Sequence, residues 1–508
     1  MIAASTADVE DAYDVAVVGA GVVGAAIARE LARHCLRVLV LEAASDVGTG
    51  TSKANTAILH TGFDAKPGTL EAELVRRGHT LLATHAAEVG IPVERLGALL
   101  VAWNEDERAA LPEIAARARQ NGYTAVRDVD AGELYAREPA LASGALAALE
   151  IPDESIVCPF TTPLAFATDA VVNGATLVLD APLVGVARGA IATGRYGGGV
   201  APQGSAESGD GDTSQGRAAS SDGDAYALRT PRGEFRARWV VNAAGLGADD
   251  VDRLFGHARF TVAPRRGELI VFDKLARPLL HHIVLPVPTA RTKGVLVSPT
   301  VLGNLVLGPT AEDVPDKHAT ESTRAGLDAL MRHGRRLLPA LADEEVTAVY
   351  VGLRAATEHG DYQIHVDPDQ RYVCVAGIRS TGLTASMAIA ERVRDGLRDA
   401  GLALEPRDDF RAVRMPNIGE ASPRPHARAD LIAADPDYGR IVCHCERVTR
   451  REIVDAARAA IPARSLDGLR RRTRATLGRC QGFYCAAAVT RLVAAASGRT
   501  VAELLGAQ

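Results

Sequence analysis

The strongest constraint on the fold lies near the start of the chain, where strand-like, glycine-rich and helix-like segments follow one another. They occupy residues 13–18, a turn containing Gly19, Gly21 and Gly24, residues 25–33, and residues 37–41 with Glu42 directly after them. Glycines at this spacing allow a tight turn and let N–H groups at a helix N-terminus approach a pyrophosphate. An acid after the second strand is placed to bind a ribose 2′-hydroxyl. The pattern predicts a doubly wound α/β domain that binds a dinucleotide.

Four of the seven cysteines lie close to the other end of the chain. Cys443 and Cys445 form a Cys-x-Cys pair, and Cys480 and Cys485 form a Cys-x4-Cys pair. Two such pairs bring four thiolates from two loops to one point, as an iron-sulfur cluster or a structural zinc ion requires. The sequence therefore predicts a metal centre in a small C-terminal unit.

Length and charge restrict the class of protein. The 508 residues suffice for about two to four units with their own cores. A net charge of -6 gives no general attraction to nucleic acid, which is not expected as a partner. No apolar run reaches the roughly 18 residues of a membrane span, and the acidic start is unlike a secretory signal. We expect a cytoplasmic protein, in which Cys35, Cys158 and Cys374 are small buried hydrophobes.

The middle of the chain contains strands and one low-complexity insertion. Residues 177–186 and 225–241 read as strands that flank residues 194–224, which are rich in Gly, Ser and Asp and are expected to be disordered. Residues 264–273 and 294–309 alternate and turn like antiparallel strands.

The last hundred residues divide into a linker and a helical tail. Residues 401–437 are rich in Pro, Arg and Asp and are interpreted as a linker. Thr449 and Glu452 predict a capping box at a helix start. The arginines of 464–479 have two interpretations: cations that favour reduction of a nearby cluster, or a solvated helix face.

Residues 13–397 resemble FAD-dependent dehydrogenases of the D-amino-acid oxidase superfamily, in the branch that holds glycerol-3-phosphate dehydrogenase and L-2-hydroxyglutarate oxidase. The resemblance rests on the glycine turn and on residues 55–62 (NTAILHTG), 264–268 (PRRGE) and 377–386 (GIRSTGLTAS). One departure is Asn55-Thr56-Ala57, where hydroxyglutarate enzymes tend to read Asn-Ser-Gly. A second is Thr381, where relatives often have proline.

The resemblance implies a Rossmann-like FAD domain interleaved with an antiparallel-sheet substrate domain. The FAD-binding parts are expected at about 13–82, 150–260 and 350–400, and the substrate domain at about 83–149 and 261–349. The residues implied to bind FAD are Gly19, Gly21, Gly24, Glu42, Ser52, Asn55, Thr56, Ala244, Gly245, Gly382, Leu383 and Thr384.

The tail, residues 438–508, is similar to bacterioferritin-associated ferredoxin, with VCHCERVT and RRRTRATLGRCQGFYC as the matching stretches. This similarity implies a small helical domain in which Cys443, Cys445, Cys480 and Cys485 bind [2Fe-2S]. A structural zinc site or a docking module that transfers no electrons is the alternative.

Two residues are the leading catalytic candidates. An alcohol oxidised by a flavin gives its hydroxyl proton to a base, and the resemblance points to His60 for this role. Arg354 carries the planar donor pair that clamps a carboxylate or phosphate. Arg266, Lys293 and His359 are weaker candidates.

These expectations combine into a dehydrogenase that oxidises a small anionic 2-hydroxy substrate, glycerol 3-phosphate first and L-2-hydroxyglutarate second. Electrons would leave through the cluster to an acceptor protein or a quinone-linked partner subunit, and any peripheral membrane association would pass through that partner. An amino-acid, hydroxyproline or opine dehydrogenase is the alternative.

Overall fold

The computed structural model describes residues 12–188, 225–288 and 294–505. The insertion expected to be disordered, 194–224, lies outside the described residues, as does Lys293. Within the described ranges, no helix combines the length and the apolar character needed to cross a membrane.

The described chain contains strands and helices from its start to its end. The strands are β1 Tyr13–Val18, β2 Val38–Leu41, β3 Ile58–Leu59, β4 Val93–Arg95, β5 Ala98–Ala102, β6 Arg127–Asp130, β7 Ala147–Ile151, β8 Ser155–Val157, β9 Thr176–Val178, β10 Gly185–Arg188, β11 Tyr226–Thr230, β12 Gly233–Asn242, β13 Ala263–Phe272, β14 Ile283–Pro286, β15 Leu296–Pro299, β16 Leu305–Gly308, β17 Glu312–Asp313, β18 Val346–Ala356, β19 Gln363–Asp367, β20 Tyr372–Ala376, β21 Ile441–Cys443 and β22 Val448–Thr449. The helices are α1 Val22–Leu31, α2 Leu70–Val89, α3 Glu105–Gln120, α4 Ala131–Arg137, α5 Thr161–Val172, α6 Ala248–Leu254, α7 Arg324–Leu337, α8 Gly382–Asp399, α9 Ala429–Ala434, α10 Arg450–Arg458, α11 Leu466–Thr473, α12 Ala486–Ser497 and α13 Val501–Leu505.

The first large sheet carries the predicted nucleotide-binding unit. Its order is β10-β11-β12-β1-β2-β9, with β20 beside β12 and β19 beside β20, and the run β9-β2-β1-β12-β20 is parallel. Helix α1 packs on α5 and α8 over one face, where Val15, Val17 and Ile27 are buried. The strands expected within 177–186 and 225–241 are present as β9 and β10 in the first stretch and as β11 and β12 in the second, where a turn at 231–232 separates them.

The second large sheet is almost wholly antiparallel. Its order is β17-β13-β16-β15-β14-β5-β7-β6, with β18 on the other side of β13, and only the β14-β5 pair is parallel. The long strands β13 and β18 pair over their whole length, and a separate apolar core lies under this sheet. The antiparallel strands expected at 264–273 and 294–309 are confirmed as β13, β15 and β16. Together the two sheets confirm the mixed α/β fold class.

The tail is a small helical unit with its own core. Helices α10, α11 and α12 bury Ile453, Leu469 and Val489, and the short β21-β22 hairpin leads into them. The predicted capping box is present: the Thr449 hydroxyl accepts from the Glu452 N–H, and the Glu452 carboxylate accepts from the Thr449 N–H.

The basic stretch of the tail is a docking surface, which neither interpretation of its arginines anticipated. Arg471 and Arg472 pair with Asp46, which follows β2, at 2.7–2.8 Å. Arg474 is fully buried and donates to Glu420 and Glu446. The solvated-face interpretation is therefore wrong for these three arginines, because carboxylates outside their own helix, those of Asp46, Glu420 and Glu446, neutralise them.

The segment 401–437 is anchored to the larger body rather than suspended between two units. Pro406 forms an isolated β-bridge with His34, and the Val413 N–H donates to the buried Asp169 carboxylate at 2.8 Å. Cys35, next to this bridge, is exposed, so the expectation of burial is wrong for it and is confirmed for Cys158 and Cys374.

Candidate active site

The turn between β1 and α1 accepts only glycine at two of its three glycine positions. Gly19 has φ +105°, and a Cβ there would lie 2.5 Å from the Ala243 carbonyl oxygen. A Cβ on Gly24 would lie 1.9 Å from the Gly19 carbonyl oxygen. The first turn of α1 is thereby packed against the ends of β1 and β12, and its N-terminus faces a cavity. This is the cradle that a dinucleotide pyrophosphate requires.

Glu42 directly follows β2, beside that cradle. Its carboxylate accepts hydrogen bonds from the Ala20 N–H at 2.6 Å and the Ala44 N–H at 2.8 Å. Burial raises the pKa of Glu42, and these backbone donors oppose the shift. Each carboxylate oxygen retains acceptor capacity. Its role toward a ribose hydroxyl stays a prediction.

A cavity of about 490 Å³ opens at the meeting point of the two large sheets. It brings together nine of the predicted site residues: Gly21, Ser52, Asn55, Thr56, His60, Gly245, Arg354, Gly382 and Leu383. The predicted FAD-binding residues that do not line it are Gly19, Gly24, Glu42, Ala244 and Thr384.

The loop that carries Ser52, Asn55 and Thr56 is fixed from both sheets. The Ser52 hydroxyl accepts from the Val22 N–H at 2.9 Å, at the start of α1. On the other side, the Tyr350 hydroxyl of β18 donates to the Asn55 carbonyl at 2.8 Å. A Cβ on Gly352 would lie 2.0 Å from the Ala54 carbonyl oxygen, so β18 requires glycine to admit this loop.

His60 is held at its backbone and at its ring. Its N–H donates to the buried Thr384 hydroxyl at 3.0 Å. Its Nδ1 lies 3.2 Å from Oε2 of Glu154, a carboxylate with no exposed side-chain surface. Glu154 was not among the predicted residues, because only the pairing of β3 with β8 brings it to His60.

Arg354 lines the cavity as one of two opposed cations. It is the cross-strand partner of Arg265, which also lines the cavity and pairs with Asp313 at 2.6 Å. Arg354 donates to the Thr310 carbonyl at 3.5 Å, and within the described ranges no carboxylate lies in salt-bridge distance of it. Burial, and secondarily Arg265, lower the pKa of Arg354 to about 10. Like charges on facing strands repel. An anion bound here would therefore offset the burial of the Arg354 charge and its repulsion by Arg265.

The weaker candidates are engaged elsewhere. Arg266 pairs with Glu312 at 2.5 Å, and Nε2 of His359 lies 3.1 Å from the Arg259 carbonyl oxygen. Neither residue lines the cavity.

The four tail cysteines form one group with two interacting pairs. The thiol of Cys445 interacts with that of Cys480, and the thiol of Cys485 interacts with that of Cys443. Backbone N–H groups, that of Tyr484 foremost, lower the pKa of Cys480, which favours the thiolate. Among the described residues no three His, Cys, Asp or Glu side chains converge on a single ion position. Two thiol pairs, each joining the two loops, fit a centre with two metal ions.

Comparison with known proteins identifies both units. Residues 14–395 match the family described as FAD dependent oxidoreductase. The chain belongs to this family. Residues 441–495 match the BFD-like [2Fe-2S] binding domain, which decides between [2Fe-2S] and zinc for the tail. The cofactors of this FAD-dependent oxidoreductase are thus FAD and [2Fe-2S], and the glycine cradle and the two thiol pairs fit them.

Several known proteins align with most of this FAD-dependent oxidoreductase. A glycerol 3-phosphate dehydrogenase of Caloramator mitchellensis is 32% identical and is aligned over 97% of this chain and 96% of its own. An anaerobic glycerol-3-phosphate dehydrogenase subunit A1 of Haloferax volcanii is 26% identical over 93% of this chain and 81% of its own. The structure of the L-alpha-glycerophosphate oxidase of Mycoplasma pneumoniae with FAD bound is similar, with a TM-score of 0.69, 27% identity, and coverage of 80% of this chain and 99% of that one.

Proposed function

We propose that this enzyme oxidises the secondary hydroxyl of a small anionic 2-hydroxy substrate, glycerol 3-phosphate first, and passes the electrons through its [2Fe-2S] domain. The observation that carries the proposal is the pair Arg265 and Arg354 on facing strands of a cavity that also contains His60. Arg354 has no carboxylate partner among the described residues, so its charge is available to a substrate anion.

Each residue has a defined task in this proposal. Arg354 binds the phosphate or carboxylate and thereby sets where the hydroxyl lies. His60 removes the hydroxyl proton as the alcohol becomes a carbonyl. When bound, FAD supplies the two-electron acceptor for the hydride of the carbinol carbon, and [2Fe-2S] supplies one-electron transfer. The Ser52 to Thr56 loop and the start of α8 at Gly382, which line this cavity, would hold the flavin.

The choice of substrate and partner rests on the relatives. Both proteins named glycerol 3-phosphate dehydrogenases align with more than nine-tenths of this chain, including its tail. This supports glycerol 3-phosphate ahead of L-2-hydroxyglutarate. One of the two is named as a subunit, which supports a partner subunit as electron acceptor. The acceptor is either a soluble protein or a quinone-linked subunit.

Anaerobic titration of the purified holoenzyme tests the proposal. sn-Glycerol 3-phosphate is expected to bleach the flavin bands first and the longer-wavelength cluster absorption after them, whereas uncharged glycerol is expected to bleach neither. L-2-hydroxyglutarate, proline and hydroxyproline complete the panel. Bleaching by an imino acid alone would favour the alternative, an amino-acid dehydrogenase. Reduction of the flavin without later reduction of the cluster would contradict electron transfer through the [2Fe-2S] domain.

A further inference from the structure

The carboxylate of Glu154 is brought to the cavity by strand register. In the antiparallel pair of β3 and β8, Ile58 lies opposite Ile156 and Leu59 lies opposite Ser155. One further step along this ladder brings His60 opposite Glu154. Cross-strand neighbours at this spacing are within side-chain contact. The pairing therefore persists as long as the two strands stay in register.

The two oxygens of this carboxylate have different surroundings. Oε1 accepts from the Thr61 N–H at 2.7 Å and from the Thr61 hydroxyl at 3.0 Å. Oε2 is buried and, apart from His60 Nδ1 at 3.2 Å, has no hydrogen-bond partner among the described residues. A buried carboxylate oxygen without a donor is costly, so a proton on His60 Nδ1 is the group that satisfies it.

We propose that Glu154 is a positioning residue that holds His60 as the Nδ1–H tautomer, with Nε2 free to accept the substrate proton. The inference rests on the proposed function, in which His60 is the base. In the reaction the substrate O–H bond breaks and its proton bonds to Nε2, while the C–H bond breaks and its electron pair leaves as hydride to FAD. The imidazole becomes a cation in this step, and the Glu154 carboxylate beside Nδ1 stabilises that cation.

Other charged groups also face the imidazole across the cavity. The charged side chains that line it are Asp64, Glu71, Arg265, Arg354 and Arg379. They come from the loop after β3, from α2, β13 and β18, and from the segment before α8. Arg379 lies 3.8 Å from Glu71, and Arg265 pairs with Asp313. Glu154 differs from all of them because it lies within 3.2 Å of a ring nitrogen.

The decisive experiment is a double-mutant cycle in the holoenzyme with Glu154→Gln, His60→Gln and the double variant. Gln keeps an acceptor for Thr61 and removes the charge. Glu154→Gln is expected to lower kcat by about a hundredfold, with less change in KM, and to move the acid limb of the pH profile to lower pH. In the His60→Gln background the same substitution is expected to have no further effect. Additive losses, or an unchanged pH profile, would refute the positioning role.

A second readout does not depend on turnover. Nitrogen NMR of protein labelled at histidine reports which ring nitrogen carries the proton, with His60 assigned by its loss in His60→Gln. The wild type is expected to show Nδ1–H, and Glu154→Gln a mixture of tautomers. Thr61→Val is the control, because it removes one contact of Glu154 and keeps the charge, and it should leave the tautomer unchanged. If no hydroxy substrate reduces the flavin of the wild type, the proposed function fails, and a wild-type His60 protonated at Nε2 would separately end this inference.

Discussion

Asp46 accepts hydrogen bonds from both terminal nitrogens of Arg472, each at 2.7 Å. The two residues belong to different units, since Asp46 follows β2 of the FAD-binding sheet and Arg472 lies in α11 of the iron-sulfur domain. Both are almost fully buried. Burial acts to raise the pKa of Asp46, but Arg472 and Arg471 outweigh it and hold that pKa below its usual value. The pair therefore ties the loop after β2 to the small C-terminal domain.

Asp46→Asn is expected to loosen the iron-sulfur domain. The substitution leaves the buried Arg472 guanidinium without a carboxylate partner, whereas Arg471 keeps Asp467, and breaking a buried pair in this way costs about 3–5 kcal/mol. Proteolysis within 401–437 should become much faster and release the tail. Asp180→Asn is the matched control: its partners Arg232 and Arg464 are more than a third exposed, so its cost should stay below about 1 kcal/mol. Equal protease sensitivity of the two variants would contradict the prediction.

Acid is expected to weaken the same interface through Glu420. Burial would raise its pKa, but Arg474 and Lys274 lower it to about 2. Since an unfolded glutamate titrates near about 4.3, the stabilisation is complete above about pH 4.5 and is lost as the pH falls toward 2. The difference in melting temperature between wild type and Glu420→Gln should be constant from neutral pH down to that point and shrink below it. A difference that already shrinks near neutral pH would identify another group.

Arg354→Gln is expected to raise the KM for an anionic substrate by about tenfold to a hundredfold, the effect of losing a charged hydrogen-bond partner. Arg354→Lys keeps the charge but lacks the planar guanidinium, so its KM should lie between those of the wild type and Arg354→Gln. FAD content should be unchanged. Arg266→Gln, one residue along β13 from Arg265 and paired with Glu312 outside the cavity, should keep the wild-type KM. Steady-state kinetics with a dye acceptor measure all three.

Cys480→Ser is expected to remove the cluster and leave the flavin. Loss of one thiolate should weaken metal binding by at least about tenfold, so the long-wavelength absorption and the bound iron disappear while substrate still bleaches the flavin. Reduction of the partner acceptor should then fail. Cys35→Ser is the control, since Cys35 is exposed and far along the chain from the four ligands. An acceptor that is reduced at the wild-type rate by Cys480→Ser would place the cluster off the electron path.

Ala57→Gly is expected to stabilise the loop in front of His60. Ala57 has φ +58°, in the left-handed region where a Cβ costs about 1–2 kcal/mol. Glycine removes that strain and loses part of the gain through the entropy of the unfolded chain, so a net gain of about 0.5–1 kcal/mol is expected. Ala57→Ser keeps the Cβ and should bring no gain in a thermal melt. This position is one where the chain departs from the glycine expected of hydroxyglutarate enzymes.

Local patterns predicted the elements whose residues are close in sequence. The strand, turn and helix at the start are confirmed as β1, the glycine turn and α1, because a short apolar run and the glycine requirement are local properties. The capping box at Thr449 is confirmed for the same reason. The antiparallel strands of the second sheet also carried clear alternation.

Features that depend on long-range pairing were missed. Glu154 reaches His60 only through the β3-β8 register, and no periodicity near Glu154 signals it. Neither interpretation of Arg471 and Arg472, as cations near a cluster or as a solvated helix face, included Asp46, because this partner lies more than 400 positions earlier. The excess of arginine in α11 indicates that an acidic partner exists, but composition alone does not identify which acid it is.

The anchored tail has a consequence for how the protein is assembled in the cell. Helix α11 lies between the two cysteine pairs, and the fold of such a unit depends on metal insertion. The same helix supplies both guanidinium groups that compensate Asp46. Chains made during iron starvation would therefore leave Asp46 without its partners in α11 and, like the Asp46→Asn variant, are expected to be cleaved faster within 401–437. One aspartate thus couples the supply of an inorganic nutrient to the lifetime of the protein.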